Sequence, residues 1–309
     1  MPRHAKAARL HAHGERLLVD EIDLPSPADG EVVVEMAFGG VNPVDRYNAL
    51  GRVGADLPLP RTLGSEGSGT QSGRPVIVRG PGVFSSAVVA EEKSLIEVPD
   101  GVDLAAAAAL GVAGVTAWRC VTEVAAVEAG DRVLVLGASG GVGTMIVSMA
   151  HRLGASVCAQ TGSAAKVDLV RRLGADRVVI GDSDSIADEI GDFRPTAVFD
   201  PLGDGYTGAA LEALAPKGRL VIFGTSAEAT GTMPLQPFYR KSLRMLGYGG
   251  LMETEEAIAA GIRAALAALA AGRFEVVIDS VVPLEEVNHA FERLVDRSVA
   301  GKLLLDLAS

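Results

Sequence analysis

Ala138, Ser139, Gly140, Gly141, Val142 and Gly143 form a glycine-rich turn between two apolar runs. Before it, Val133, Leu134, Val135 and Leu136 read as a short buried strand. After it, Thr144, Met145, Ile146 and Val147 continue as an apolar helix. This arrangement is suited to holding an anion. Glycines let the backbone approach a pyrophosphate, and the N–H groups and dipole of the helix start favour its negative charge. Strand, turn and helix in this order predict a dinucleotide site rather than a purely structural tight turn.

An acidic residue normally follows about 20 positions later, at the tip of the next strand, where it holds the ribose hydroxyls of NAD. Here the strand at 156–160 runs into Thr161, Gly162, Ser163 and Lys166, with no carboxylate. Hydroxyls and a lysine at that place suit a 2′-phosphate. The expected coenzyme is therefore NADP(H).

The remaining composition narrows the class. The chain has 309 residues, 48% of them hydrophobic, enough for two packed domains. Its net charge of -11 argues against nucleic acid and anionic membranes as partners. The two cysteines, Cys120 and Cys158, stand in unrelated segments, which fits a reducing cytoplasm. No secretory signal is expected, because no apolar core follows the basic N-terminus. The apolar stretch 104–118 is short for a membrane span and reads as one buried helix.

The elements that must position the turn change character near residue 105. Before it, short β-like runs (31–35, 75–78, 87–90) alternate with Pro/Gly turns, as in a small barrel or sandwich. After residue 130, strands at 133–136, 156–160, 177–180, 197–200 and 220–223 alternate with helices, and 243–248 is a sixth candidate. That rhythm predicts an α/β doubly wound parallel sheet. An alanine-rich helix at 254–271 follows, and β character returns at 276–278 and 302–305, so the tail rejoins the first domain. The expected division is 1–114 with 274–309, and 115–273.

Five further segments join the glycine turn in a recognisable order. They are Val41-Asn42-Pro43-Val44-Asp45-Arg46-Tyr47, Leu63-Gly64-Ser65-Glu66-Gly67-Ser68-Gly69, Ala113-Gly114-Val115-Thr116-Ala117-Trp118, Phe223-Gly224-Thr225-Ser226 and Gly301-Lys302. Together they resemble the zinc-independent, zeta-crystallin-like quinone oxidoreductases of the medium-chain dehydrogenase/reductase superfamily, over nearly the whole chain. The resemblance implies a GroES-like β-rich substrate domain, a Rossmann NADP-binding domain and an active site in the cleft between them. It implies hydride transfer from NADPH to a quinone or an α,β-unsaturated carbonyl. It places Thr116, Gly224, Thr225 and Ser226 near the nicotinamide half, Gly162 and Lys166 near the adenosine phosphate, and Asn42 and Tyr47 at the reacting carbon. The chain departs from the pattern at 51–54, which lacks a second aromatic, and at Gly181, where some members carry a tyrosine. The stretch between Gly69 and Val76 is also short, which predicts a trimmed first domain.

Zinc-dependent relatives need cysteine and histidine ligands. Here Glu66 is preceded by Ser65, and two cysteines in all cannot build such sites, so no metal is expected. His11 and His13 are expected on one face of an N-terminal strand, as solvated side chains. Without a Lewis acid the acceptor must already be activated, and its oxyanion needs donors. The Asn42 amide and the Tyr47 hydroxyl are the catalytic candidates; a tyrosine that only caps a backbone carbonyl is the structural alternative. Two other functions stay open: a dedicated enoyl or alkenal reductase of a biosynthetic pathway, and an NADPH-binding protein without turnover. The apolar sixth strand at a sheet edge predicts a homodimer.

Overall fold

The computed structural model describes residues 3–308. It divides into two compact units. One holds the residues up to Val115, Ile262–Ala270 and those from Val276 onward; the other holds Thr116–Gly261 and Ala271–Glu275.

The first unit opens with strands β1 (Arg3–Leu10), β2 (Leu18–Leu24) and β3 (Glu31–Gly40), then helix α1 (Pro43–Ala49). Strands β4 (Arg61–Thr62), β5 (Glu66–Gln71), β6 (Arg74–Arg79), β7 (Ala87–Glu91) and β8 (Ile96–Glu97) follow. The β5–β6 connection is two residues long, Ser72 (φ 50) and Gly73 (φ 80). Two positive φ angles are what a tight hairpin needs to match strand twist, and they account for the short stretch after Gly69. Next come α2 (Leu104–Ala107), a π-helical turn (Leu110–Gly114) and α3 (Val115–Arg119). The expected single helix over 104–118 is thus broken in the middle.

The second unit alternates β9 (Arg132–Val135), α4 (Gly141–Arg152), β10 (Ser156–Thr161), α5 (Val167–Arg172), β11 (Arg177–Ile180) and α6 (Ile186–Ile190). It continues with β12 (Ala197–Asp200), α7 (Asp204–Ala213), β13 (Arg219–Ile222), α8 (Leu235–Arg240) and β14 (Arg244–Gly247). The six strands lie in the order β11-β10-β9-β12-β13-β14, all parallel. This is the 3-2-1-4-5-6 order of a dinucleotide-binding sheet. All four residues of β12 are buried, as expected for a central strand covered on both faces. Leu134, Cys158, Val198, Leu211 and Leu220 centre its core.

Helix α9 (Glu255–Ala270) passes between the units in sequence, and the chain ends with β15 (Ile278–Pro283), α10 (Val287–Val295) and β16 (Lys302–Asp306). Strand β16 pairs with both β15 and β3, so the tail completes a mixed sheet of the first unit. Val287, Ala290 and Phe291 form the inward stripe of α10 and meet Leu10, Met36, Phe84 and Leu303 in that unit's core.

Ile262–Ala270 group with the first unit, whereas the expected division put 115–273 together. Two expectations need correction. The returning strand starts at Ile278, not 276. Strand β1 ends at Leu10, so His11 and His13 lie in a turn and share no strand face. His11 Nε2 sits 2.7 Å from Asp20 Oδ2, and His13 Nε2 3.3 Å from the Ala55 carbonyl.

Candidate functional site

The glycine turn connects the carboxyl end of β9 to α4. Gly137 takes φ +58, and Gly140 is the N-cap of α4 with no side-chain cap. The first-turn N–H groups of a helix have no intrahelical acceptor, so an uncapped start presents them to an anion. Gly143 faces inward. A Cβ there would lie 2.8 Å from Ala138 Cα and closer still to the Gly137 carbonyl oxygen, so only glycine lets α4 pack on the turn. At Gly140 the nearest neighbour would be an ordinary 3.4 Å away, and at Gly162 nothing lies within 4 Å. These two glycines border open space, which fits a coenzyme cradle.

Gln160, buried near the tip of β10, fastens the turn. Its Oε1 accepts from the Gly137 N–H (2.9 Å), its carbonyl accepts from the Ala138 N–H (2.9 Å), and its Nε2 donates to the Gly181 carbonyl (2.7 Å). No motif marks this role in the sequence, although a glutamine closing an apolar strand is a visible signal. Beyond it, Thr161, Gly162 and Ser163 lead into a 3₁₀ turn (Ala164–Lys166), with Ser163 as N-cap accepting from the Ala165 N–H. Ser139 Oγ lies 3.4 Å from Thr161 Oγ1. Lys166 is half-buried in the same turn. The expected phosphate loop and the glycine turn therefore sit side by side at the carboxyl ends of adjacent strands, where open α/β sheets take ligands.

Gly224, Thr225 and Ser226 follow β13. The Ser226 N–H and hydroxyl both reach the Pro201 carbonyl (2.9 and 3.1 Å), and a Cβ at Gly224 would stand 3.0 Å from the same oxygen. Asp200 shapes the facing loop. It accepts from the Leu202 and Gly203 N–H groups and the Thr207 hydroxyl; burial pushes its carboxyl up against those bonds. Thr116, half-buried on α3, belongs to the same unit.

In the first unit, Asn42 is the N-cap of α1 and Tyr47 lies in its last turn. Asn42 is buried, and both hydrogens of its amide are donated within the protein, to the Gly40 carbonyl (3.1 Å) and Glu66 Oε1 (2.7 Å). Its Oδ1 accepts from Lys302 Nζ (2.8 Å). The oxyanion-donor role expected for this amide would require one of these bonds to break. Tyr47 is half-buried, and among the described residues its hydroxyl has no hydrogen-bond partner, so the capping alternative is not what the fold uses. Asp45, between them, accepts from the Asn42 N–H (2.8 Å). Burial pushes its carboxyl from 3.8 to about 7, while the Ser65 hydroxyl, the Asn42 N–H and Lys302 oppose that rise.

A metal does not fit these residues. Glu66 Oε1 is taken by Asn42 and Lys302, and its Oε2 by the Val112 and Ala113 N–H groups. Among the described residues no group of three or more His, Cys, Asp or Glu converges on a point. Both cysteine thiols are buried, and burial pushes them up, Cys158 to about 12.

Residues 141–265 match the family described as zinc-binding dehydrogenase. The chain is 30% identical to bovine quinone oxidoreductase-like protein 2 over 321 residues, covering 97% of this chain and 92% of that one. It is 28% identical to human quinone oxidoreductase, covering 93% and 92%. A 227-residue match, 33% identical, covers 68% of this chain and 10% of a phenolphthiocerol/phthiocerol polyketide synthase chain of Mycobacterium tuberculosis. Among solved structures, Escherichia coli quinone oxidoreductase complexed with NADPH is similar at 26% identity and TM-score 0.86, over 97% of this chain and 99% of that one. A mycobacterial protein complexed with NADPH is similar at 25% identity and TM-score 0.89, over 98% and 99%. The parallel sheet, its glycine turn and these likenesses agree: the chain belongs to the quinone oxidoreductase-like proteins of the medium-chain dehydrogenase/reductase superfamily.

Proposed function

We propose that this protein is an NADPH-dependent reductase that works without zinc on quinones or α,β-unsaturated carbonyls. The observation that carries this reading is the uncapped start of α4 beside a lysine-bearing loop, in a chain similar to a quinone oxidoreductase complexed with NADPH. Ala138, Ser139, Gly140, Gly141, Val142 and Gly143 would hold the pyrophosphate. Gly162, Ser163 and Lys166 would hold the 2′-phosphate, and Thr116, Gly224, Thr225 and Ser226 the nicotinamide half. The bound coenzyme supplies a hydride. The chain's own residues must then position an acceptor and stabilise its developing oxyanion. The Tyr47 hydroxyl, without a hydrogen-bond partner among the described residues, is the donor we assign; Asn42 caps the helix that bears it. A conjugated acceptor spreads the charge onto its oxygen, so no Lewis acid is required.

NADPH oxidation should proceed with 1,4-benzoquinone or an α,β-unsaturated ketone and be insensitive to chelators. Oxidation of a saturated alcohol with NADP⁺, or activity restored by zinc, would overturn the reading. Tight NADPH binding with no oxidation by any acceptor would favour a binding protein. The polyketide synthase match favours a second reading, a reductase dedicated to a biosynthetic enoyl substrate; a much higher kcat/KM for an enoyl thioester than for benzoquinone would select it. Lys166→Ala is expected to weaken NADPH binding about tenfold or more while leaving NADH binding nearly unchanged, as loss of one charge-assisted phosphate contact requires. Equal loss for both coenzymes would remove the lysine from the phosphate site.

We assign a homodimer formed across β14, the edge of the parallel sheet. Met245 on that strand and Leu251 and Met252 just after it are exposed, and an apolar strand edge normally finds a partner. Met245→Lys combined with Met252→Lys should yield monomers by light scattering at micromolar concentration. A monomeric wild type would end the assignment. No helix among the described residues is long and apolar enough to cross a membrane, and the two buried free thiols suit a reducing cytoplasm.

A further inference from the structure

Four polar side chains meet in the interior of the first unit, where β3, β5 and β16 lie side by side. Lys302 is 2% exposed, Glu66 0%, Asn42 5% and Asp45 1%. Lys302 reaches them from the last strand. Its ammonium has three hydrogens and spends each on an oxygen: Val41 O at 3.1 Å, Asn42 Oδ1 at 2.8 Å and Glu66 Oε1 at 2.7 Å. Glu66 Oε1 accepts a second bond from Asn42, so lysine, asparagine and glutamate close a ring of hydrogen bonds. Gly40 makes the packing possible, since a Cβ there would stand 2.6 Å from Glu66 Oε1 and 2.9 Å from the Ala108 carbonyl.

Stability alone is a poor reason for such a group. Taking two charges out of water is expensive, and well-packed apolar residues of similar volume often serve as well or better. What the ring does obtain is geometry. It clamps Asn42, the residue that starts α1, whose own N–H is tied to Asp45. The other oxygen of Glu66 accepts from the Val112 and Ala113 N–H groups, in the π-helical turn that leads along the chain to Thr116. π-Helical turns are concentrated at functional sites. One buried carboxylate therefore holds both the helix bearing Tyr47 and the turn preceding Thr116.

We propose that Lys302 is a positioning residue for the reaction: paired with Glu66, its buried ammonium orients Asn42 and the start of α1, and so sets the place of the Tyr47 hydroxyl. This rests on the reading that Tyr47 serves the acceptor. The ammonium cannot act on substrate directly, since all three of its hydrogens are engaged.

The test compares Lys302→Met, Glu66→Gln, the double variant and Asn42→Ala by thermal melting, NADPH titration and kinetics with 1,4-benzoquinone. Lys302→Met leaves the buried Glu66 without its ammonium partner, so its melting temperature should fall. The double variant removes both charges and should recover it. Its kcat/KM for benzoquinone should nonetheless stay down, by on the order of 100-fold, because misplacing a reacting group by about 1 Å has that effect. NADPH affinity should stay within about twofold of wild type, since the phosphate-holding residues are untouched. Asn42→Ala keeps the charge pair and should lose turnover to a similar extent; it carries the test if Lys302→Met fails to fold. Adding Lys302→Met and Glu66→Gln to Asn42→Ala should bring little further loss, as for residues acting in one chain. A double variant with recovered melting and wild-type kcat/KM would overturn the proposal, as would a loss of NADPH affinity that accounts for the lost turnover. A wild type inactive with every acceptor would instead sink the functional reading itself.

Discussion

Gly143→Ala is expected to cut NADPH affinity by about tenfold or more and to lower the melting temperature, both measurable by fluorescence titration and a thermal scan. The direction is informative because helix propensity points the other way. Alanine favours a helix interior over glycine by about 1 kcal/mol. Position 143 lies in the first turn of α4, and the new Cβ would press on backbone atoms of Gly137 and Ala138 rather than on a side chain that can swing aside. The helix start must then lift off the turn, and the N–H groups proposed to hold the pyrophosphate move with it. Gly140→Ala supplies the contrast. Its backbone (φ −80, ψ 175) suits any residue, and its Cβ would meet the protein at 3.4 Å. That variant should fold normally, so any loss of affinity there reports on the approach of the coenzyme itself. A Gly143→Ala protein that melts higher and binds NADPH as before would refute the packing account.

Asp45→Asn is expected to raise stability at pH 8 and to flatten its dependence on pH. The folded protein holds the Asp45 proton to about 7 because burial disfavours the carboxylate, whereas the unfolded chain releases it near 3.8. Between those values the folded state binds more protons than the unfolded one, so stability declines as pH rises, and above about 7 the full penalty is present. The gap corresponds to on the order of 4 kcal/mol. Asparagine is neutral throughout and can still accept the Asn42 N–H through its amide oxygen. Thermal melts from pH 4.5 to 8.5 should therefore converge at the acid end and diverge at the alkaline end, with the variant above. Parallel profiles would mean that Asp45 is ionised in the folded protein at neutral pH.

The coenzyme half of the candidate site was legible because its parts are local. Residues 133–147 carry strand, turn and helix in one uninterrupted stretch, and each depends on neighbours within a few positions: apolar residues for the strand, glycines for the turn, an uncapped start for the helix. Lys166 stood out for the same reason, as a charge at a known interval from the turn. The acceptor half was harder. The order of motifs singles out Asn42 and Tyr47 as candidates, but the amide's hydrogens are consumed by Gly40 and Glu66, and no local pattern could reveal that. Gln160 was read only as the end of a strand, since its three bonds run to residues that other loops deliver. His11 and His13 were placed on a strand that stops one residue earlier, where β1 loses its partner across the sheet.

Chain order and side-chain period thus determine by themselves that a parallel, nucleotide-holding sheet follows a smaller β-rich unit, because alternation of strands and helices and the spacing of glycines act over a few residues. Tertiary structure alone decided that Lys302 should lie against Asn42 and Glu66, which stand 260 and 236 positions before it. A buried ammonium must find its oxygens wherever the folded backbone brings them, and the free energy that joins them depends on burial and geometry, not on separation along the chain.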